Sequence, residues 1–364
     1  MTETEACIVL NMIAYVGPMR FGKLYEHFGS SVAILKATGN SLRGLEGIGH
    51  EIADSIQTWE KQVDLTAEIG RIERFGAHVL IAQDNSYPEL LRHIEDPPIV
   101  LYCWGKLEEC DQRHGIGIVG TRDASHYALE ATKKLAYQLA YAGLTVYSGL
   151  ARGIDTAAHQ AALAAHGRTV AILGSGLEHI YPKENIPLAE KISTSGAVLT
   201  EFPMNTKPSK QTFPKRNRII SGSSFGLLVT EAGLRSGALI SAHQAIEQGR
   251  SIYSLPGRID QANALGSNKL IQQGAKLVMD AADILSDFPL LFSKQPALEK
   301  SRPHLSLQGE ELMIYQSIAD DPTLIDDIIA ISSLPAATVS SKLLALELSG
   351  HVRGAPGGRF IKLM

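Results

Sequence analysis

The chain has 364 residues, 45% apolar and 20% charged, a balance that fits a soluble globular protein of more than one domain. Its net charge of −4 excludes a protein that coats a polyanion over its whole surface, so any binding of nucleic acid must use a local patch. Glu3 and Glu5 precede the first apolar run, which is the wrong charge for a signal peptide, and no apolar stretch is long enough to span a bilayer; Cys7, Cys103 and Cys110 are spaced for neither a zinc site nor a disulfide framework. These features predict a cytoplasmic protein with free thiols, no membrane association, no metal and no cofactor.

Residues 1–75 alternate amphipathic helical stretches with the glycine turns Val16-Gly17-Pro18 and Gly47-Ile48-Gly49, the pattern of paired helix-hairpin-helix (SAM-like) units. Glycines in such turns let backbone amides approach a phosphate. A compact helical bundle with glycine C-caps and no ligand fits the same pattern. Arg20, Lys23 and Arg43 are the cations near these turns.

Over residues 76–288 the pattern changes to short apolar strands alternating with helices. Strands are expected at Ile116 to Val119, Leu144 to Ser148, Thr169 to Leu173, Ala197 to Leu199, Phe225 to Val229 and Ser251 to Leu255, with helices at Tyr127 to Tyr141, Thr156 to Ala165 and Ala238 to Gln248. Apolar strands separated by helices predict an α/β domain with a doubly wound, Rossmann-like parallel sheet, whose ligands lie beyond the carboxyl ends of the strands. Gly115-Ile-Gly117-Ile-Val-Gly120 matches a dinucleotide string, but its first two glycines fall in or before the strand rather than after it, so the match is read as coincidence.

Three strand ends carry turn chemistry suited to a ligand. Gly120, Thr121 and Arg122 follow the first strand; Arg122 is read as a ligand contact, with a structural ion pair as the alternative. Ser148, Gly149 and Arg152 follow the second, in Ser148-Gly-Leu-Ala-Arg-Gly153-Ile-Asp155, and Gly174, Ser175 and Gly176 follow the third. Tyr181-Pro182 and Lys183 lie just beyond, where a packed turn and a solvent-exposed lysine are equally open readings. Asp155 and Glu231 show no spacing that brings them together, and His159, His166, His179 and His243 are scattered.

Between Phe202 and Thr230 there is no acidic residue, yet Lys207, Lys210, Lys215, Arg216 and Arg218 all fall there. Such an excess over an acidic background suits an anion, though a solvated basic loop is the ordinary fate of a charge run. Phe213 and Asn217 sit inside the run and supply a stacking ring and an amide, the mixture that single-strand binding uses. Lys207 and Lys210 are read as steering charges only.

Pro289, Pro296 and Pro303 mark a linker over 289–304. Residues 305–364 read as three helices, Gly309 to Ala319, Thr323 to Ile331 and Pro335 to Leu348, followed by a hairpin from Gly350 to Lys362. The third helix carries Lys342 against Glu347, too little positive charge to read a DNA groove; Arg353, Arg359 and Lys362 on the hairpin allow weak phosphate contact, with a partner-docking or structural role equally open.

Taken in order, Gly120-Thr-Arg122, Ser148-Gly-Leu-Ala-Arg-Gly-Ile-Asp-Thr-Ala-Ala-His159, Tyr181-Pro182, Glu201-Phe-Pro203, Phe213-Pro-Lys-Arg-Asn-Arg-Ile-Ile220, Ser236-Gly-Ala-Leu-Ile-Ser241 and Leu270-Ile-Gln-Gln-Gly-Ala275 resemble the bacterial DNA-processing family called DprA or Smf. The resemblance implies an extended Rossmann-like domain that binds single-stranded DNA, protects incoming strands in natural transformation and helps load the RecA recombinase. It further implies a homodimer, no catalytic turnover and a winged-helix domain at the end of the chain. Carried over by position, it places DNA contact on Arg122, Lys183, Phe213, Arg216, Asn217 and Arg218, with Lys215 in the same run, and loosely assigns Ser267 to Met279 to the dimer and recombinase surface. Thr200 stands before Glu201 where the family commonly has serine, and Ser221-Gly-Ser-Ser224 varies the usual continuation. The rival reading is a nucleoside-monophosphate phosphoribohydrolase on a related Rossmann domain. Those enzymes carry Pro-Gly-Gly-x-Gly-Thr-x-x-Glu, whereas Thr230-Glu-Ala-Gly-Leu-Arg-Ser-Gly-Ala238 keeps a carboxylate but lacks the double-glycine loop.

Overall fold

Six helices open the chain: α1 (Glu3–Met12), α2 (Pro18–Phe28), α3 (Ser31–Lys36), α4 (Gly39–Arg43), α5 (His50–Gln57) and α6 (Leu65–Phe75). The computed structural model describes residues 1–288, 309–319, 323–348, 351–355 and 358–362. A capping box starts α1, in which the Thr2 hydroxyl accepts the Glu5 amide at 3.2 Å and the Glu5 carboxylate accepts the Thr2 amide at 2.7 Å. Gly17 and Pro18 open α2 at the expected glycine turn, and Gly29 closes it with φ +76°. The buried faces of these helices share one apolar cluster with the sheet that follows: Leu10, Leu24 and Ile56 pack with Val100, Tyr102 and Val198.

The sheet has nine strands: β1 (His78–Ile81), β2 (Val100–Gly105), β3 (Gly115–Val119), β4 (Thr145–Ser148), β5 (Thr169–Ile172), β6 (Ala197–Thr200), β7 (Gly226–Val229), β8 (Ser251–Ser254) and β9 (Lys276–Leu277). Their order is β1-β2-β6-β5-β4-β3-β7-β8-β9. Strands β3 to β9 pair in parallel, while β1 pairs with β2 and β2 with β6 in antiparallel fashion. The doubly wound parallel sheet expected from the sequence is present as β3 to β9, and the antiparallel strands β1 and β2 extend it beyond β6. Strand–helix–strand alternation marks parallel strands, whereas an antiparallel pair needs no crossover helix. Gly115 and Gly117 both lie within β3, where an added Cβ would fall 2.5 Å from the Ser223 carbonyl and 2.6 Å from Leu227 respectively. They are packing glycines, which disposes of the dinucleotide string.

Helices cover both faces. Between the strands run α7 (Glu89–Arg92), α8 (Glu109–Arg113), α9 (His126–Tyr141), α10 (Ile154–Ala164), α11 (Ile186–Ser195), α12 (Thr212–Gly222), α13 (Gly237–Glu247) and α14 (Leu265–Gln272), and α15 (Ala281–Leu285) follows β9. Leu135, Leu139 and Ala158 of α9 and α10 form one core with Ile116, Ile118 and Val146 of the strands, and Ile219, Ile220 and Ala242 of α12 and α13 form another with Leu227 and Val229. From β3 the chain winds outward one way through β4, β5 and β6, then returns to β7 and winds the other way. The crevice between the ends of β3 and β7 is thus the switch point, where this architecture places its ligand.

The chain divides into two compact units, Met1–Phe292 and Ser293–Met364. In the second, α16 (Glu310–Ser317), α17 (Ile325–Ser332) and α18 (Ala336–Leu348) pack with a three-stranded sheet of β10 (Thr323–Leu324), β11 (Val352–Ala355) and β12 (Arg359–Lys362), ordered β10-β12-β11. Ile314, Ile328, Val339 and Leu343 make its core. Thr323 and Leu324, expected to begin a helix, instead form the strand that pairs with β12. The linker expected over 289–304 lies outside the described residues. Among the described residues, no single helix is long and apolar enough to cross a membrane.

Candidate nucleic-acid interface

A cavity of about 460 Å³ opens at the switch point. The turn after β3 supplies Gly120, Thr121 and Arg122; the turn into α13 supplies Ser236, Gly237 and Ala238; and α12 with its approach supplies Lys210, Phe213, Arg216 and Asn217. Arg122 is exposed and has no carboxylate partner among the described residues; its guanidinium carbon stands 5.2 Å from the centroid of the Phe213 ring. Tyr181, itself 43% exposed, leans on Phe213 at 6.0 Å between centroids. Cation and aromatic rings therefore meet at the mouth. A side pocket of about 40 Å³ continues from it between Tyr181, Pro182, Phe213 and Arg152.

The glycine-rich strand ends serve this arrangement by making room. A Cβ on Gly149 would lie 1.7 Å from the Arg216 guanidinium, and one on Gly174 would lie 2.6 Å from the Phe213 ring. The expected free hydroxyls and amides are used internally. Ser148 donates to the Ile118 carbonyl at 2.6 Å, Ser175 to the His179 carbonyl at 2.8 Å, the Gly176 amide to the Thr206 carbonyl at 2.8 Å and the Thr121 amide to the Glu231 carbonyl at 2.8 Å. The Gly149 amide bonds to Asp155 at 3.1 Å.

Arg122, Arg216 and Arg218 occupy three environments. Arg122 is free and exposed. Arg216 is only 4% exposed and donates to the Ile172 carbonyl at 2.6 Å, at the floor. Burial pushes its guanidinium down to about 10, against the pull of Asp155 nearby. The same burial raises Asp155, whose carboxylate is held by Arg216 and by the Ala151 and Gly149 amides. Arg218 does not join them. It is 7% exposed, pairs with Glu201 and lies 3.1 Å from Asp96, in a separate cavity that it lines with Lys215. Its charge is already matched by two carboxylates, and burial raises both of those carboxyls, Arg218 offsetting part of the rise.

Lys183 is exposed in the short turn after Pro182 and is not among the residues lining the main cavity. Arg152 is exposed but held by Glu184 through two hydrogen bonds of 2.6 and 2.7 Å. Lys210, read as a steering charge, lines the cavity itself, and Ser236 to Ala238 line it at the start of α13. The Ser236-Gly237 step before an apolar helical run was the available signal, since Ser236 caps α13 through the Ala238 amide at 3.3 Å. Glu231 is spent at another helix start, accepting the Ser125 amide at 2.8 Å and hydroxyl at 2.7 Å at the head of α9.

Comparison with known proteins places this geometry in a family. Residues 78–289 match the model of DNA recombination-mediator protein A, and residues 298–358 match the DprA winged helix domain. The chain is 35% identical to Protein Smf of Synechocystis over 99% of its own length and 98% of the relative's. Among solved structures it is similar to DNA processing protein A of Streptococcus pneumoniae, with a TM-score of 0.69 and 32% identity, covering 79% of this chain and 98% of that one. It is also similar to a Helicobacter pylori DNA processing protein A described for its single-stranded DNA binding mode, with a TM-score of 0.53 and 29% identity over 59% of this chain and 96% of that one. Family models over both regions and a relative aligned nearly end to end agree: the chain belongs to the DprA/Smf family, the DNA recombination-mediator proteins A.

Proposed function

We propose that the cavity at the switch point binds single-stranded DNA and that the protein acts as a recombination mediator, shielding incoming strands in transformation and helping to load RecA. The observation that carries the reading is Arg122, an exposed guanidinium without a carboxylate partner among the described residues, set over the Phe213 ring at the mouth of a cavity that Lys210 also lines. Phosphates meet Arg122 and Lys210 while bases stack on Phe213 and Tyr181. Arg216 and Asn217 form the floor. Arg218, enclosed by Glu201 and Asp96, holds α12 in place and makes no phosphate contact.

The protein works in the cytoplasm, as a homodimer and without catalytic turnover. Leu277 on the edge strand β9 and Met279 beyond it are 39% and 76% exposed, which supports the dimer and recombinase surface at 267–279. The capping role of Glu231 supports a binder over a phosphoribohydrolase. Fluorescence anisotropy with oligo-dT tests the site. Phe213→Ala raises Kd by an amount worth about 1 to 3 kcal/mol with little change in salt dependence; undiminished affinity would return Phe213 to a packing role. Incubation with nucleoside monophosphates tests turnover, and release of free base that Glu231→Gln abolishes would replace the binder with the enzyme.

A further inference from the structure

The basic loop is not anchored by the α/β sheet alone. After β6, residues 201–206 run between two sets of partners before the mostly exposed stretch 207–211 that carries Lys207 and Lys210. On the sheet side, the Gly176 amide donates to the Thr206 carbonyl at 2.8 Å and the Glu178 amide to the Met204 carbonyl at 3.2 Å. From the other side the N-terminal helices reach in. The Asn11 side-chain amide of α1 donates to the Glu201 carbonyl at 2.9 Å, and the Glu68 carboxylate of α6 accepts the Met204 amide at 2.7 Å.

Glu68 is 0% exposed, and a carboxylate taken out of water is costly unless it is paired and hydrogen-bonded. Here one oxygen takes the Met204 amide and the other takes Arg71 at 3.2 Å; Arg71 in turn reaches Glu178 at 3.8 Å. An apolar residue would pack the same interface without that expense, so a buried charge placed on a loop amide does something packing does not: it fixes one backbone position. Five residues after Thr206 the loop ends, and α12 begins with Thr212 and Phe213.

We propose that Glu68 and Asn11 are positioning residues for DNA binding, through which the N-terminal helical region sets the 201–206 segment and hence Lys210 and Phe213 at the cavity. This rests on the single-strand reading of the cavity, and the test separates the two. Hydrogen exchange on the full chain without DNA is read at the amides of residues 204–211, and oligo-dT affinity is read in parallel for Glu68→Ala, Glu68→Gln and Asn11→Ala. In Glu68→Ala, exchange in that loop rises about tenfold or more while the strand amides of β3 to β5 keep their protection, and Kd rises by about tenfold. Glu68→Gln retains an acceptor for the Met204 amide and restores most of both. Should Glu68→Ala not fold, Asn11→Ala decides, with the same loop-confined exchange and a smaller loss of affinity. Unchanged loop exchange in the variants that fold overturns the proposal, as does faster exchange with wild-type affinity. A wild-type protein that fails to bind oligo-dT would instead refute the reading of the cavity, with the exchange result still deciding whether these residues hold the loop.

Discussion

At the scale of single residues, Arg122, Arg216 and Arg218 look alike in the sequence and part company by burial and by partner. Arg122→Ala removes an exposed side chain and leaves stability within about 0.5 kcal/mol of wild type, so a lost affinity would report contact. Arg218→Ala leaves Glu201 enclosed without its partner and costs about 3 to 5 kcal/mol in urea unfolding. A fully stable Arg218→Ala protein would contradict the structural role. His159 adds a pH dependence. It is buried, and burial with Arg216 nearby lowers its imidazole from 6.5 to about 3. Its folded value is depressed, so the unfolded chain takes the proton first as pH falls. Stability is full above pH 6.5 and is lost toward pH 3, by up to about 1.4 kcal/mol per pH unit from this group. His159→Gln flattens that part of the acid profile; an unchanged slope would assign the acid sensitivity elsewhere.

At the scale of elements, α12 divides its own charges. Phe213, Arg216, Asn217 and Ile220 fall at helical spacing on the cavity side, while Lys215 and Arg218 fall on the other. That division was legible in the spacing once 212–222 is a helix, but the polar run with Pro214 reads as a loop. Pro214 sits in the first turn, where its missing amide costs no helical bond. The glycine-rich strand ends were legible as ligand-edge turns, yet Gly149 and Gly174 answer to Arg216 and Phe213, residues far off in sequence. The antiparallel strands β1 and β2 escaped because no crossover helix marks them. The proposed dimer surface at the edge strand β9 carries its own prediction: a homodimer built there shifts in sedimentation from dimer toward monomer in Leu277→Glu. A variant that sediments as wild type would move the dimer surface off this edge.

At the scale of the whole molecule, a chain of net charge −4 must hold a polyanion by local charge alone. The family was legible from many short motifs in order, because each records a turn or packing need of one architecture. Which charges are free for a ligand was not, since neutralisation by Glu201, Asp96 and Glu184 is a tertiary fact. The free charge at the proposed site is therefore Arg122 above all. A salt titration of single-stranded DNA binding, with duplex DNA alongside, measures its contribution most directly. The account predicts tighter binding to single strands that falls steeply with salt, and an Arg122→Ala slope shallower by about 0.7 to 1, while a variant with the wild-type slope and affinity would contradict it.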